Sequence, residues 1–386
     1  RIAASATAVA DEAGRRARCQ VATRPGTERV GSSTALRIVR LALLAALVVL
    51  VLQRAVAITR TFELGVDLEI PLRAAERWLD GGRPYDPAAF QVAEGPGLPF
   101  LYPPFLLPLL APLAGLPRQP VLLAWVAACL LSALAACRRL GLPPAWWPLA
   151  VLWPPFLEGI WNGNVQVHLF AAFVCALFEP VPRGADGPRP RDGSRPETIG
   201  APQGLLAALV GSLKASQVHA WLLVARLRPR AALLGALPLA AVVLLTLPAA
   251  GPGLYREWLA QADRATDPSW PPIGAPLSLL VPRPVAIAVS AASLLLVFLL
   301  PRRQAAPWTG LLLVAAAPTV HTYAWLFLLP AMLVVRREIA LVAALYFASY
   351  HAAGWWLGFA LVAVALGLAG RYPALRHVPA QPAGLK

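Results

Sequence analysis

Four places in this chain set side chains able to move protons or hold charge within strongly apolar surroundings. In "ELGVDLEIPLRAAERWLDGGRPYD", residues 63–86, Asp67 follows the first long apolar run, where a carboxylate could take a proton from a hydroxyl. The competing role is a helix N-cap, which Asp fills well. In "SLKASQ", Lys214 is one of only two lysines among 34 Lys and Arg, the other being Lys386. Within an apolar stretch its ammonium either reaches for an interface or holds an anion, for which a phosphate would serve. "EGIWNGNVQVH" crowds Asn162, Asn164, Gln166 and His168 at a helix start, with amide donors and acceptors suited to ligand hydroxyls or to bonds between helices. "APTVHTYAW" puts His321 and Tyr323 at a break in a long charge-free run, as site residues or as a satisfied core pair.

The elements that must position these groups are membrane helices. Hydrophobic residues make up 58% of the 386, charged ones 14%, and mean hydropathy is +0.62. Charge-free runs cover Leu98–Pro117, Gln119–Cys137, Leu140–Leu157, Gly159–Phe178, Ala231–Tyr255, Gln304–Val335 and Ile339–Gly370. A spanning helix needs about 20 apolar residues, so the last two runs can each hold two short crossings. The spacing predicts an all-α polytopic membrane protein with ten to thirteen apolar helices. In such a chain, ionisable groups at membrane depth are costly and mark sites by default.

The net charge of +15 does not argue for nucleic acid. Its arginines cluster in short breaks between apolar runs (Arg138/Arg139, Arg226/Arg228/Arg230, Arg302/Arg303, Arg336/Arg337), the pattern of loops on the cytoplasmic side. Cys19, Cys129, Cys137 and Cys175 lack metal-ligand spacing, so neither disulfide nor zinc site is expected, and no metal cofactor. No Walker loop, GxGxxG after a strand, GxSxG or HExxH competes.

Residues 1–35 read as a disordered basic cytoplasmic tail and Leu36–Ile58 as the first crossing. Residues 36–178 form an N-terminal membrane half whose first outer loop, 59–101, carries Asp67. Within it Leu68, Pro71, Leu72, Ala75, Trp78 and Leu79 fall on one helical face, with Glu69, Arg73, Glu76, Arg77 and Asp80 opposite, predicting an amphipathic helix on the membrane surface with a solvated charged face. Gly81-Gly82 and Pro84 end it. A Pro/Gly-rich polar linker covers 179–202, a second membrane half 203–370, and a cytoplasmic tail 371–386. With the linker in the cytoplasm, 203–226 must be a broken hairpin; with the linker outside, it crosses once.

Taken in order, these places resemble the polyprenol-phosphate-mannose-dependent mannosyltransferases of the GT-C superfamily, glycosyltransferase family 87, over roughly residues 36–370. The likeness is carried by Asp67, Ala74-Ala75, Gly81 or Gly82, Tyr85 and Tyr102-Pro103-Pro104 in the first outer loop, and by Gly163-Asn164-Val165-Gln166 in mid-chain. Gly204–Lys214 before the basic Arg226–Arg230 loop, and Pro318, His321, Tyr323 and Leu328-Leu329-Pro330, complete it. Thr322 and Ala324 stand where many relatives have acids, and "GAPLSLL" blurs the usual Asn-Gln-Ser-Leu.

The resemblance implies a GT-C-type fold in a bacterial plasma membrane with the active site facing outward. It implies a donor sugar, mannose, on a polyprenyl phosphate, and a glycolipid or glycan acceptor. Asp67 is then the base of an inverting transfer, and Lys214, His321 and Arg73 are candidates for the donor phosphate. Asn164, Gln166, His168, Tyr102 and Tyr323 are candidates for sugar or acceptor. Trp146, Trp147, Trp153 and Trp161 line a prenyl groove or form an aromatic belt. The rival reading is a transporter or flippase for a lipid-linked sugar, which predicts internal repeats that the two halves do not show. A non-catalytic membrane subunit, with Asp67 only a cap, is the third.

Overall fold

The computed structural model describes residues 29–86, 100–179, 199–264, 275–318, 320–349 and 351–372, omitting the side chains of 29–33, Ala215, 262–264 and Arg303. Most of the linker and both tails therefore lie outside the described residues. The described residues hold helices and no strand. The chain divides at Leu44: the first unit holds the start of α1 (Arg29–Thr61), and the second, Ala45–Lys386, everything else.

Four helical segments are long and apolar enough to cross a membrane: Thr34–Leu79, Arg118–Arg139, Pro229–Gln261 and Ala352–Arg371. Their outward faces are bare Leu, with Leu131 67% and Leu245 80% exposed, the reverse of a soluble surface. Shorter apolar helices, among them Gln166–Leu177, Ala201–Leu213 and Arg283–Leu299, take the place of several of the expected full crossings. The reason is local: Pro and Gly break the runs before they reach about 20 residues.

After α1, α2 (Val66–Leu79) is the expected amphipathic helix, burying Leu68, Pro71, Leu72, Ala74 and Ala75. It stops where Gly81 takes φ +74°. Its acidic face departs from expectation. Arg118, at the start of α4, reaches Glu69 at 3.4 Å and Glu76 at 2.5 Å, so these two acids also tie α2 to the next helix pair, although the Glu76 side chain stays 41% exposed.

That pair is α3 (Leu106–Ala114) and α4 (Arg118–Arg139). The next run breaks into α5 (Trp147–Leu152) and α6 (Pro154–Trp161) at the extended Trp153 before two prolines, and α7 (Gln166–Leu177) follows a turn at 162–165.

The stretch expected either to cross once or to double back does the latter. Of α8 (Ala201–Leu213) and α9 (His219–Leu227), the first lays Gly211 against Val218 near the tip and Gly204 against Ala231, at the start of the helix after α9. A Cβ on Gly204 would sit 1.9 Å from the Ala231 carbonyl oxygen, and one on Gly235 2.1 Å from the Gly204 backbone. Only glycine allows backbones this close, the usual device for packing helices where lipid removes a hydrophobic drive. Lys214 lies at the tip.

The long helix α10 (Pro229–Arg264) kinks at Gly251, φ +73°, between Pro248 and Pro252. Its end packs on the first loop: Trp258 Nε1 donates to the Leu101 carbonyl at 3.0 Å, Gln261 to that of Tyr85, and Arg83 pairs with Glu257 at 3.7 Å. Beyond it come α11 (Arg283–Leu299), α12 (Ala305–Ala315), a seven-residue 3-10 turn Thr322–Leu328, α13 (Leu329–Val334), α14 (Arg337–Ala348) and α15 (Ala352–Arg371). A 3-10 run this long is uncommon and needs packing to hold it. Here Trp325 stacks on Phe347 at 5.2 Å and meets Trp356 edge-on at 5.4 Å, while Gly310 lets the Phe327 backbone approach.

Candidate functional site

The site begins where α2 starts. Gly65, φ +79°, is the residue before the helix, and no side chain caps it. Asp67 lies inside the first turn, so the cap role is not the one it plays; a carboxylate there is favoured by the helix dipole. The backbone N–H of Gly65 donates to the Trp161 carbonyl and that of Asp67 to the Asn162 carbonyl, both at 2.8 Å. Two orphan donors of α2 are thereby spent on the turn after α6.

That turn comes close because Gly163 adopts φ +68°; a Cβ there would lie 3.4 Å from the Gly65 Cα and 3.2 Å from Trp125. Trp125 Nε1 donates to the Gly163 carbonyl at 2.7 Å, and Trp161 Nε1 to that of Phe62 at 2.8 Å. Held this way, Asn164 donates from Nδ2 to Asp67 Oδ2 at 2.7 Å.

Opposite stand the hairpin tip and the start of the 3-10 turn. Lys214 leaves the helical conformation at the end of α8, and its Nζ lies 5.6 Å from the Tyr323 ring centroid. The ring in turn stacks on His321, 5.1 Å away and 20° from parallel. Asp67 and Lys214 are close enough to attract one another, and Tyr102 and Tyr323 both feel the Asp67 charge. Asp67, Tyr102, Lys214 and His321 are half-buried, whereas Asn164 and Tyr323 are buried, so the recess combines accessible charge with a packed wall. Burial, then the neighbouring ammonium of Lys214, push the His321 imidazole down to about 4. It is therefore neutral near pH 7, a hydrogen-bonding group and not a cation. Burial, with Asp67 adding to it, raises Tyr102 well above a free phenol; its loop is fixed by Tyr85, whose hydroxyl donates to the Tyr102 carbonyl at 2.8 Å.

The structure thus brings together Asp67, Asn164, Lys214, His321, Tyr323 and Tyr102 from segments up to 256 residues apart in sequence. It does not bring Arg73, whose side chain is 56% exposed and pairs with Glu69 at 3.4 Å. His168 is engaged between helices, with Ser132 Oγ at 2.8 Å, Cys129 Sγ at 3.4 Å and the Trp125 ring edge-on. Gln166 is wholly buried, and its side-chain amide has no hydrogen-bond partner. Trp146 and Trp153 line a separate apolar cleft of about 250 Å³ with Met332 and Arg337, while Trp161 belongs to the Asp67 turn.

One acid in the recess went unweighed in the sequence. Glu158, on α6, is 5% exposed, neighbours Thr322 and Asp67, and has an unpartnered Oε2. The signal was present: Glu158 alone separates the charge-free runs 140–157 and 159–178, an ionisable group at membrane depth. Among the described residues no three His, Cys, Asp or Glu side chains converge as a metal set would.

The arrangement offers a carboxylate that could serve as a base, an ammonium for an anion and phenol groups for hydroxyls, which are groups a transfer reaction can use. No curated protein and no solved structure matches this chain. The family model Glycosyltransferase family 87 matches residues 100–297, which take in Tyr102, Glu158, Asn164 and Lys214 and leave Asp67, His321 and Tyr323 outside. That span is about half of the sequence, and the chain belongs to glycosyltransferase family 87.

Proposed function

We propose that this membrane glycosyltransferase takes its sugar, mannose, from a polyprenyl phosphate and passes it to a glycolipid or glycan hydroxyl on the outer face of a bacterial plasma membrane. The observation that carries the reading is the meeting of Asp67 and Lys214, a base and a cation with different parents, in one half-buried recess.

In this reading Asp67 takes the proton of the acceptor hydroxyl as its oxygen bonds to the anomeric carbon. The bond from that carbon to the phosphate oxygen breaks on the opposite face, giving inversion. A phosphodiester becomes a monoester, so negative charge grows on the leaving group. Lys214 then stabilises the transition state more than the ground state, and neutral His321 donates a hydrogen bond to the same phosphate. Tyr102 and Tyr323 supply hydroxyls to the sugar, with Gln166 and His168 behind them. Arg73, turned outward onto Glu69, takes no part.

The test is transfer of radiolabelled mannose from polyprenyl phosphate to membrane glycolipids by the purified protein and by Asp67→Asn. Asn preserves the shape but not the basicity of the side chain, so kcat should fall by about 10²–10⁴ with the fold intact. Equal transfer by both proteins would move the base elsewhere. Movement of the labelled lipid across a vesicle membrane without transfer would favour a flippase.

A further inference from the structure

A sugar ligand is what the sequence suggests for Asn164, and its geometry says otherwise. Its two amide ends are both committed. Oδ1 accepts the backbone N–H of Gln166 at 2.8 Å, closing the start of α7, and Nδ2 donates to Asp67 Oδ2 at 2.7 Å. The first bond fixes which end is which: a flipped amide would set NH₂ against an N–H and oxygen against a carboxylate. Asn164 is 4% exposed, leaving little of it for a ligand.

The backbone repeats the message. The Asn162 carbonyl holds the N–H of Asp67 and the Trp161 carbonyl that of Gly65, so three hydrogen bonds join one turn to the first turn of α2. We infer that Asn164 is a positioning residue for Asp67, fixing the plane of its carboxylate and hence the point at which its second oxygen meets an acceptor hydroxyl. This deepens the transferase reading and rests on it for the catalytic consequence alone. The same carboxylate also feels Lys214 from the hairpin tip, Tyr102 from the first loop, Glu158 from α6, Cys129 from α4 and Tyr323 from the 3-10 turn, but none of these five side chains is hydrogen-bonded to it. Asn164 is the one that orients it.

The alternative is that Asn164 merely caps α7, and one substitution separates the two. Asp caps about as well as Asn, so Asn164→Asp leaves a pure cap working, yet it replaces the donor facing Asp67 with a second carboxylate. In the full-length protein in detergent, N164D should lower kcat at least about a hundredfold with KM for the donor unchanged, the cost expected of a misplaced reacting group. Asn164→Ser, which caps but is too short to reach Asp67, should do the same and serves if N164D does not fold. Adding N164S to D67N should cost nothing further.

A substrate-free arm keeps the pair testable if mannose transfer itself is absent. Two carboxylates at this separation cannot both ionise. The infrared spectrum of N164D at pH 7 should gain a protonated-carboxyl band relative to wild type, lost again in N164D/D67N. Wild-type kcat in N164D and N164S, additive losses with D67N, or no new band would each overturn the inference. Absence of transfer by the wild type would sink the donor assignment while the infrared result still decides the pair.

Discussion

Asp67, Lys214 and Arg73 show how burial sorts chemically similar candidates. Lys214 is half-buried against Tyr323, and its partners are a ring face and the Asp67 charge; Arg73 is exposed and spent on Glu69. A fixed cation in a site of low dielectric is worth about 10²–10³ in rate. Lys214→Gln should therefore lower kcat by that order in the mannose-transfer assay, whereas Arg73→Ala should stay within about twofold, as surface ion pairs contribute little. The depressed His321 adds a pH prediction. A group that protonates only near pH 4 does not change charge between pH 5 and 8. Wild type and His321→Gln should therefore give parallel rate profiles across that window, and a limb present in the wild type alone would show that His321 titrates there.

At the level of elements, the recess depends on how closely four backbones approach. Gly204 and Gly235 let α8 and α10 touch, which puts the hairpin tip, and Lys214, where it is. Gly204→Val would drive a Cβ into the Ala231 carbonyl. Overpacking of this kind costs about 1–3 kcal/mol or more, so a clear fall in the thermal midpoint in detergent is expected, with loss of transfer. Gly163→Ala acts differently. Its positive φ is strained for any residue with a Cβ, and the added methyl meets Gly65 and Trp125, so activity should fall more than stability because the disturbed turn is the one holding Asp67. The 3-10 run Thr322–Leu328 is the remaining rigid part, secured by the Trp325 cluster.

On the scale of the whole molecule, the exposed leucines of the four spanning segments need lipid or detergent around them. In the proposed function the Arg138/Arg139 end of α4 lies in the cytoplasm, as the positive-inside bias favours, and the kinked end of α10, which covers the 100–102 loop, lies outside. A cysteine placed at Gly253 should react with a membrane-impermeant maleimide added to intact cells, and one placed at Arg138 only after the membrane is opened. The reverse pattern would turn the recess toward the cytoplasm and remove the outer-leaflet donor.

Composition and periodicity by themselves determined that the chain is an all-α membrane protein, that the pattern from Leu68 to Asp80 is an amphipathic helix ended by Gly81-Gly82, and which polar residues stand out at depth. These are properties of single segments: a buried charge is costly wherever its helix packs, and a Gly-Gly pair followed by a proline stops a helix locally. The tertiary structure alone decided which of those polar groups meet. The helical period puts Arg73 on the charged face where it stands, but nothing local turns Lys214 inward or marks Glu158 as a neighbour of Asp67 and not a loop boundary. Asn164 is the sharpest case. Its type suits a hydroxyl ligand, but its two amide ends were claimed by Gln166 and by a helix 97 residues away, and only the close approach of Gly65 to Gly163 makes the second bond possible.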